Sequence, residues 1–375
     1  MSGQQDLGAQ ASGTDGNKGL YAIFMTLAPS GFPVAAPVVA AHYEPTQTFF
    51  VSSSIAYSAK VRNLRRNPMV VLYLPEGGHP STVGLEGGRR NEDLVVVGTA
   101  EVADVDFEQA LWAVASRFRE VKTQPGLYRR LRNRMWRQLY RYYFTRYLIA
   151  ISPLSCFVSG TLNPSDAPRL RGPIDEGSTA KHEPRWYAPR PAVKLPLLSR
   201  RLLRRCTKAV AFLLASDPEG GLRLVSSRRV QIQTVGPTVV RAELSVVSTS
   251  ERRGGQILTP TETETPLASS PAANSAGPLL GCIVAYEHSE DFSQLRHVSV
   301  YGMVSVRGSY LQMTPTGHFI TLRPGGLLGD LWTGLDSFIK GRRAAAKLHV
   351  EPISLETLDR SFGKRPKESR ETAAG

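Results

Sequence analysis

The chain has 375 residues, 46 Lys+Arg against 32 Asp+Glu, a formal net charge of +14 and 41% hydrophobic residues. That apolar share supplies a core and excludes a wholly disordered chain, and the length allows two domains of ordinary size. No apolar run is long enough to span a membrane, and residues 1–18 hold no apolar secretory segment, which predicts a cytoplasmic protein.

Residues 1–17 read as a flexible tail. Short β-like runs follow at 22–27, 33–42 and 48–53, the first two joined by Pro29-Ser30-Gly31-Phe32, a hairpin turn. A helix is expected over 58–66 and stops at Asn67-Pro68, because proline disfavours helix at the residue before it. Residues 69–74 form a nearly all-apolar strand, 76–91 a Gly-rich loop, and 94–102 a strand carrying Gly98. Helices are expected over 107–121 and 126–142, then a strand over 147–151 that ends at Pro153. Residues 163–196 hold seven prolines and many charges, the mark of a linker.

The pattern then begins again. Strands are expected at 209–215, 222–233 and 238–247. Residues 279–286 match 69–74, and 298–306 with Gly302 match 94–102 with Gly98. A helix over 330–343 and a strand over 346–351, ending at Pro352, complete the second half. Gly31 to Gly220, Gly98 to Gly302 and Pro153 to Pro352 lie 189, 204 and 199 residues apart. A near-constant offset with element order kept predicts an internal duplication; coincidence between two all-β halves is the competing reading. The short helix has no second copy. Residues 250–277, rich in Thr, Pro, Ser and Ala, stand there instead and read as a disordered insertion.

Charge is uneven. Residues 128–146 hold seven arginines and no acid, with Leu127, Leu131, Met135 and Leu139 spaced by four as on a helix with a narrow apolar stripe. Arg200, Arg201, Arg204 and Arg205 form a second basic cluster among leucines. Phosphate contact with nucleic acid, an anionic membrane surface and a solvated face whose arginine stems cover aromatic rings all fit. No RNP, zinc-finger or helix-turn-helix pattern supports a sequence-specific nucleic-acid partner. The basic helix precedes the first closing strand, and 330–343 takes the same place in the second half, so a scaffold role is expected. Residues 140–144 are then buried and the arginines face solvent or a polyanionic ligand. Cys156, Cys206 and Cys282 are too few and too far apart for a disulfide framework, a zinc knuckle or a redox pair.

Residues 49–68 carry the chemistry: Phe-Phe-Val-Ser-Ser-Ser-Ile-Ala-Tyr-Ser-Ala-Lys-Val-Arg-Asn-Leu-Arg-Arg-Asn-Pro. A strand delivers three serines and a helix begins. Free backbone N–H groups at a helix start attract anions, and Lys60 adds a point charge. A phosphate site and a solvated basic helix both fit this stretch. The run 59–68, after a strand ending in serine, resembles the pyridoxamine 5′-phosphate oxidase-like split-barrel family, most of all its deazaflavin-dependent branch. The hairpin at Ser30-Gly31, Pro37 in the next strand, the Val-x-Gly-x-Ala-x-Val run at 96–102 and Arg146-Tyr-Leu-Ile-Ala-Ile-Ser-Pro153 share the resemblance. It covers about 20–155, and the second half only as a degenerate repeat.

The resemblance implies a mainly β fold with flanking helices: two tandem antiparallel split β-barrels, the second degenerate. The implied organisation is a tail at 1–17, a flavin- or deazaflavin-binding barrel at 18–160, a Pro-rich linker at 161–200, a second barrel at 201–357 with the insertion 250–277, and a charged tail at 358–375. The implied cofactor is FMN or coenzyme F420. Ser53, Ser54 and Lys60 would grip its phosphate, with Ser58, Arg62 and Asn63 nearby, and Pro37 and Val38 would face the ring. The implied function is an oxidoreductase moving hydride to or from a small organic substrate, the cofactor carrying the chemistry. A non-catalytic barrel holding haem or flavin is the alternative; a nucleic-acid protein acting through the arginine-rich helix is a third. No nucleophile, P-loop or metal motif is present, so no catalytic or metal residue is named. His42, at a strand end, fits either a pocket or a core. Barrels of this family dimerise around the cofactor. Here the halves would pair as an intrachain pseudo-dimer with one site per chain, or the chain would form a homodimer.

Overall fold

In the computed structural model the described residues are 20–43, 47–75, 93–103, 130–161, 167–171, 191–216, 221–244, 251–253, 256–258, 279–288, 294–307, 309–323 and 326–362. The first hairpin forms as its alternation demands: β1 (Leu20–Leu27) pairs with β2 (Pro33–Tyr43) across a turn in which Gly31 takes φ 78°, a left-handed value that favours glycine. β3 (Thr48–Ser54) leads through a 3-10 turn at Ile55–Tyr57 into a short α1 (Ala59–Leu64), which ends before Pro68. β4 (Met69–Leu74), β5 (Leu94–Ala103), α2 (Arg134–Phe144) and β6 (Arg146–Val158) follow. The order β6-β3-β2-β1-β4-β5, with β5 also paired to β6, closes a six-strand antiparallel barrel.

Side chains alternate across each strand, so one face fills the barrel and the other meets the second half. Ala22 and Phe24 point inward; Tyr21, Ile23 and Met25 join the core shared with the second half. This explains the unbroken apolar run of β4. Val70, Leu72 and Leu74 fill the barrel, while Val71 and Tyr73 pack against the other half.

Two short strands, β7 (Gly160–Thr161) and β8 (Arg169–Arg171), pair with β10, so residues expected as linker contribute to the second sheet. α3 (Leu197–Arg205), β9 (Lys208–Ser216), β10 (Leu222–Val235) and β11 (Val240–Leu244) follow. A hairpin of β12 (Glu251–Arg253) and β13 (Gln256–Leu258) then returns to β6, inside the stretch expected as a disordered insertion. β14 (Leu279–His288), β15 (Leu295–Arg307) and β16 (Tyr310–Arg323) complete a ring-like sheet. Its neighbours run β9-β10-β11-β16-β15-β14 and back to β9. That is the first barrel's order strand for strand. The fold is mainly β, a tandem pair of split barrels.

The structure corrects the expected repeat at its end. The closing strand of the second half is β16. The strand expected over 346–351 is instead the end of α4 (Gly326–Leu348) and the turn after it. The run Ala344-Ala345-Ala346 has the strongest helix propensity available, and β16 already occupies the edge between β11 and β15. The counterpart of Pro153 is therefore Pro315, not Pro352. Gly98 faces Pro153 and Gly302 faces Pro315, each beside a register shift. A Cβ at either glycine would strike the carbonyl of Ser152 or Thr314 on the facing strand. Proline is accommodated at such bulges, so β6 runs through Pro153 to Val158 instead of stopping there.

α4 also follows its closing strand, whereas α2 precedes one, so the two helices do not hold repeated positions. They pack on each other: Tyr140 Oη donates to the Asp330 carbonyl at 2.6 Å, and Arg130 pairs with the Asp330 carboxylate. α5 (Leu355–Phe362) carries the buried Leu358 against Trp136 and Tyr140, so the residues expected as a charged tail begin inside a packed helix. α2 starts at Asn133, whose side chain accepts from Met135 N at 2.9 Å. Tyr140 and Phe144 are buried and Tyr142 and Tyr143 half-buried. The arginines do not all face solvent: Arg137 and Arg146 are buried. The tail 1–17, the loop 76–91 and the helix expected over 107–121 lie outside the described residues.

The halves meet across an apolar seam. Tyr21 stacks on Tyr286 with ring centroids 5.5 Å apart, and Tyr73 meets Phe212 edge-on. Within it, buried Asp93 accepts two hydrogen bonds from Arg229, at 2.5 and 2.6 Å, and one from the Tyr73 hydroxyl.

Candidate functional site

At one end of this seam lies a cavity of about 480 Å³. Its first-half wall comes from β1, β2, β3, the 3-10 turn, α1, the end of α2 and the start of β6; β15, β16 and α4 supply the second-half wall. The size suits a small-molecule ligand.

Two cations define its polar end. Lys60 is half-buried, and among the described residues no carboxylate pairs with it. Loss of water and then the charge of Arg146 pull its pKa down to about 8. Arg146 is buried and held in place. Its Nε donates to Ser52 Oγ at 2.9 Å, a second guanidinium nitrogen donates to the Tyr143 carbonyl at 3.3 Å, and the group lies 4.9 Å from the Tyr143 ring centre. Two like charges sharing a desolvated wall disfavour each other; an anion between them attracts both and offsets that cost.

The remaining walls are mostly apolar. Pro37 and Val38 line one side; Phe319, Leu322 and Trp332 of the second half line the other. A small network fixes α4 against the first barrel. The Tyr57 hydroxyl donates to Asp336 at 2.8 Å and lies 3.3 Å from Ser337 Oγ. Lys340 Nζ donates to Asp336 at 2.9 Å. Burial, above all, holds Tyr57 well above the ordinary tyrosine range.

Of the residues expected at the site, Ser54, Lys60, Pro37 and Val38 come together on the cavity wall. Ser53, Ser58, Arg62 and Asn63 do not line it. Ser53 is buried, its hydroxyl donating to the Tyr57 carbonyl at 3.2 Å. Ser58 precedes α1 without capping it through its side chain, Arg62 is exposed, and Asn63 donates to Thr26 Oγ1 at 2.9 Å. His42 is buried against Phe49 and does not reach the cavity. α1 is six residues long, so side chains rather than a long helix dipole supply the positive end. Sequence reasoning passed over Ser52 and Arg146. Strand alternation puts Ser52 and Ser54 on one face and Ser53 on the other, a signal available in the sequence. The α4 wall had no such signal.

Fold and cavity define a tandem split-barrel protein with one cationic, apolar-walled cleft between its halves. No family model and no curated protein matches the chain significantly. Among solved structures it is similar to an F420 reductase, at 17% identity over 37% of this chain and 90% of that one, TM-score 0.26. It is similar to an FMN-binding, pyridoxamine 5′-phosphate oxidase-related protein from Nostoc punctiforme, at 14% identity over 42% and 82%, TM-score 0.23. A haem storage protein from Vibrio cholerae matches at 17% identity over 37% and 84%, TM-score 0.24. At these levels the likeness says nothing of the ligand. Among the described residues no helix is long and apolar enough to cross a membrane, and no three His, Cys, Asp or Glu side chains group as a metal site.

Proposed function

We propose that the cleft binds a phosphorylated flavin-type cofactor, FMN or coenzyme F420, and that the protein is an oxidoreductase acting on a small organic substrate. The observation that carries this reading is the pair Lys60 and Arg146 on the wall of one mostly apolar cavity, neither ion-paired among the described residues; the Asp336 carboxylate that also lines it is bonded to Tyr57 and Lys340. The donor set fits the group: two cations and the Ser52 hydroxyl for phosphate, the Ser54 hydroxyl donating instead to the Tyr142 carbonyl at 3.0 Å, and Pro37, Val38 and aromatic side chains for a flat ring. The sequence resemblance of residues 59–68 supports the same reading. Together the halves act as an intrachain pseudo-dimer: the first supplies the phosphate grip and the second walls the ring.

When bound, such a cofactor supplies hydride transfer. The chain's own residues bind and orient. Lys60 and Arg146 anchor the anionic end, and Ser52 holds the Arg146 guanidinium in position. Phe319, Leu322 and Trp332 supply the apolar wall beside the ring, and the Tyr57–Asp336–Lys340 network holds α4 in place as that wall. No protein nucleophile is needed. Haem ligation is less favoured: among the described residues no His, Cys or Met lines the cavity, and of its three tyrosines burial disfavours the Tyr21 and Tyr57 phenolates that ligation would need. Titrating the purified protein separately with FMN and with coenzyme F420, followed by fluorescence, tests the proposal. Saturable binding at one site per chain to either compound supports it; no binding to both refutes it.

A further inference from the structure

We propose that α4 docks the protein on an anionic membrane surface, lying in the headgroup region rather than crossing it. Leu327, Leu328, Leu331, Trp332, Leu335 and Ile339 are all exposed on α4, with Leu328 and Trp332 at 80% and 66%. Residues 328, 331, 332, 335 and 339 recur at three- and four-residue steps, so they form one stripe. Phe319 and Leu322 of β16, also exposed, continue it. An apolar surface of this extent on a soluble fold marks an interaction site.

Charge identifies the occupant. At the same spacing the stripe runs on into Arg342 and Arg343, with Lys347 one turn further; all three are exposed. The helix's own acids are engaged elsewhere. Asp330 is buried and paired with Arg130, and Asp336 is bonded to Tyr57 and Lys340. The outer face therefore presents apolar side chains and cations that have no ion-pair partner among the described residues, the pattern of an interfacial helix on anionic lipid. Exposed Arg134 and Met135 of the neighbouring α2 add to both properties. A second copy is the poorer partner, because each chain carries a formal +14 and would bring like charge to the contact. Trp332 and Leu322 also line the cleft, so docking places its mouth at the lipid boundary.

The test is co-sedimentation of the full chain with vesicles of phosphatidylcholine, and of phosphatidylcholine mixed with phosphatidylglycerol. The expected result is association with the anionic vesicles that weakens as salt rises. A blue shift of tryptophan emission should accompany it and be lost in Trp332→Phe. Each cation near an anionic surface contributes about fivefold to binding, so Arg342→Glu with Arg343→Glu should lower partitioning more than tenfold. Leu328→Glu with Leu331→Glu should do the same. Both pairs are exposed, and circular dichroism and cofactor titration should be unchanged. Equal association with neutral vesicles, or partitioning indifferent to both variant pairs, overturns the proposal. A solution dimer that Leu328→Glu with Leu331→Glu dissociates also overturns it, giving the face to a second copy.

Discussion

Replacing Lys60 by alanine removes one of two cations from the polar end of the cleft and leaves Arg146 tied to Ser52 and Tyr143. A charge-assisted contact to phosphate contributes about 1.5–3 kcal/mol, so the dissociation constant for FMN or coenzyme F420 should rise by roughly one to two decades. The pH profile gives a sharper reading. Burial and Arg146 hold the Lys60 pKa near 8 in the free protein, below the ordinary 10.5. The group is therefore mostly charged at pH 7 and mostly neutral at pH 9. A bound phosphate favours the charged form, so binding takes up a proton above pH 8 and affinity falls as pH rises. From the protonated fractions the loss between pH 7 and 9 is about tenfold. Lys60→Ala and Lys60→Met should abolish this slope as well as weaken binding at pH 7. Isothermal titration in two buffers of different ionisation enthalpy measures both the constant and the proton uptake. If the variants bind as tightly as wild type, or keep its slope, Lys60 does not meet the ligand's anionic end.

Three further outcomes follow from the packing. Arg229→Ala leaves Asp93 buried between the halves without its guanidinium; because Arg229 is partly exposed, the cost should be about 2–4 kcal/mol in chemical denaturation, and an unchanged midpoint would show that the seam does not need this pair. Gly98→Ala and Gly302→Ala force a methyl group against a facing carbonyl, and each should destabilise by about 1–3 kcal/mol; equal stability in thermal melts would deny the close approach at the bulges. Burial, helped by the Lys60 charge, keeps His297 neutral down to about pH 3 against an ordinary 6.5. The unfolded chain then takes up a proton that the folded one refuses, so stability falls as pH drops through that window, by up to about 1.4 kcal/mol per unit. Denaturation at several pH values should show a shallower acid slope for His297→Gln, and an identical slope would rule His297 out as its source.

The local elements of the first barrel follow from short-range signals in the chain. Alternation, the Ser30-Gly31 turn and the Asn67-Pro68 stop are such signals, and β1 to β5 formed close to where they lie. The sequence also held the duplication, since Gly98 and Gly302 each mark a bulge on the fifth strand of their half. Partner choice was decided by the tertiary structure. Residues 346–351 could be aligned with β6 by composition and a nearby proline, but a closing strand is defined by the edge it meets, and β16 met it first. Sequence alternation could separate Ser52 and Ser54 from Ser53, yet only the fold shows which face of β3 looks into the cleft. The second-half wall is the clearest case. Asp336 and Tyr57 are 279 residues apart along the chain, and no periodicity within either segment encodes their meeting. The sequence predicts a helix over 330–343 but not which of its faces is covered. Only the packed structure shows that the face with Ser337 and Gly341 was the one buried, because burial is a property of what surrounds a helix and not of its period.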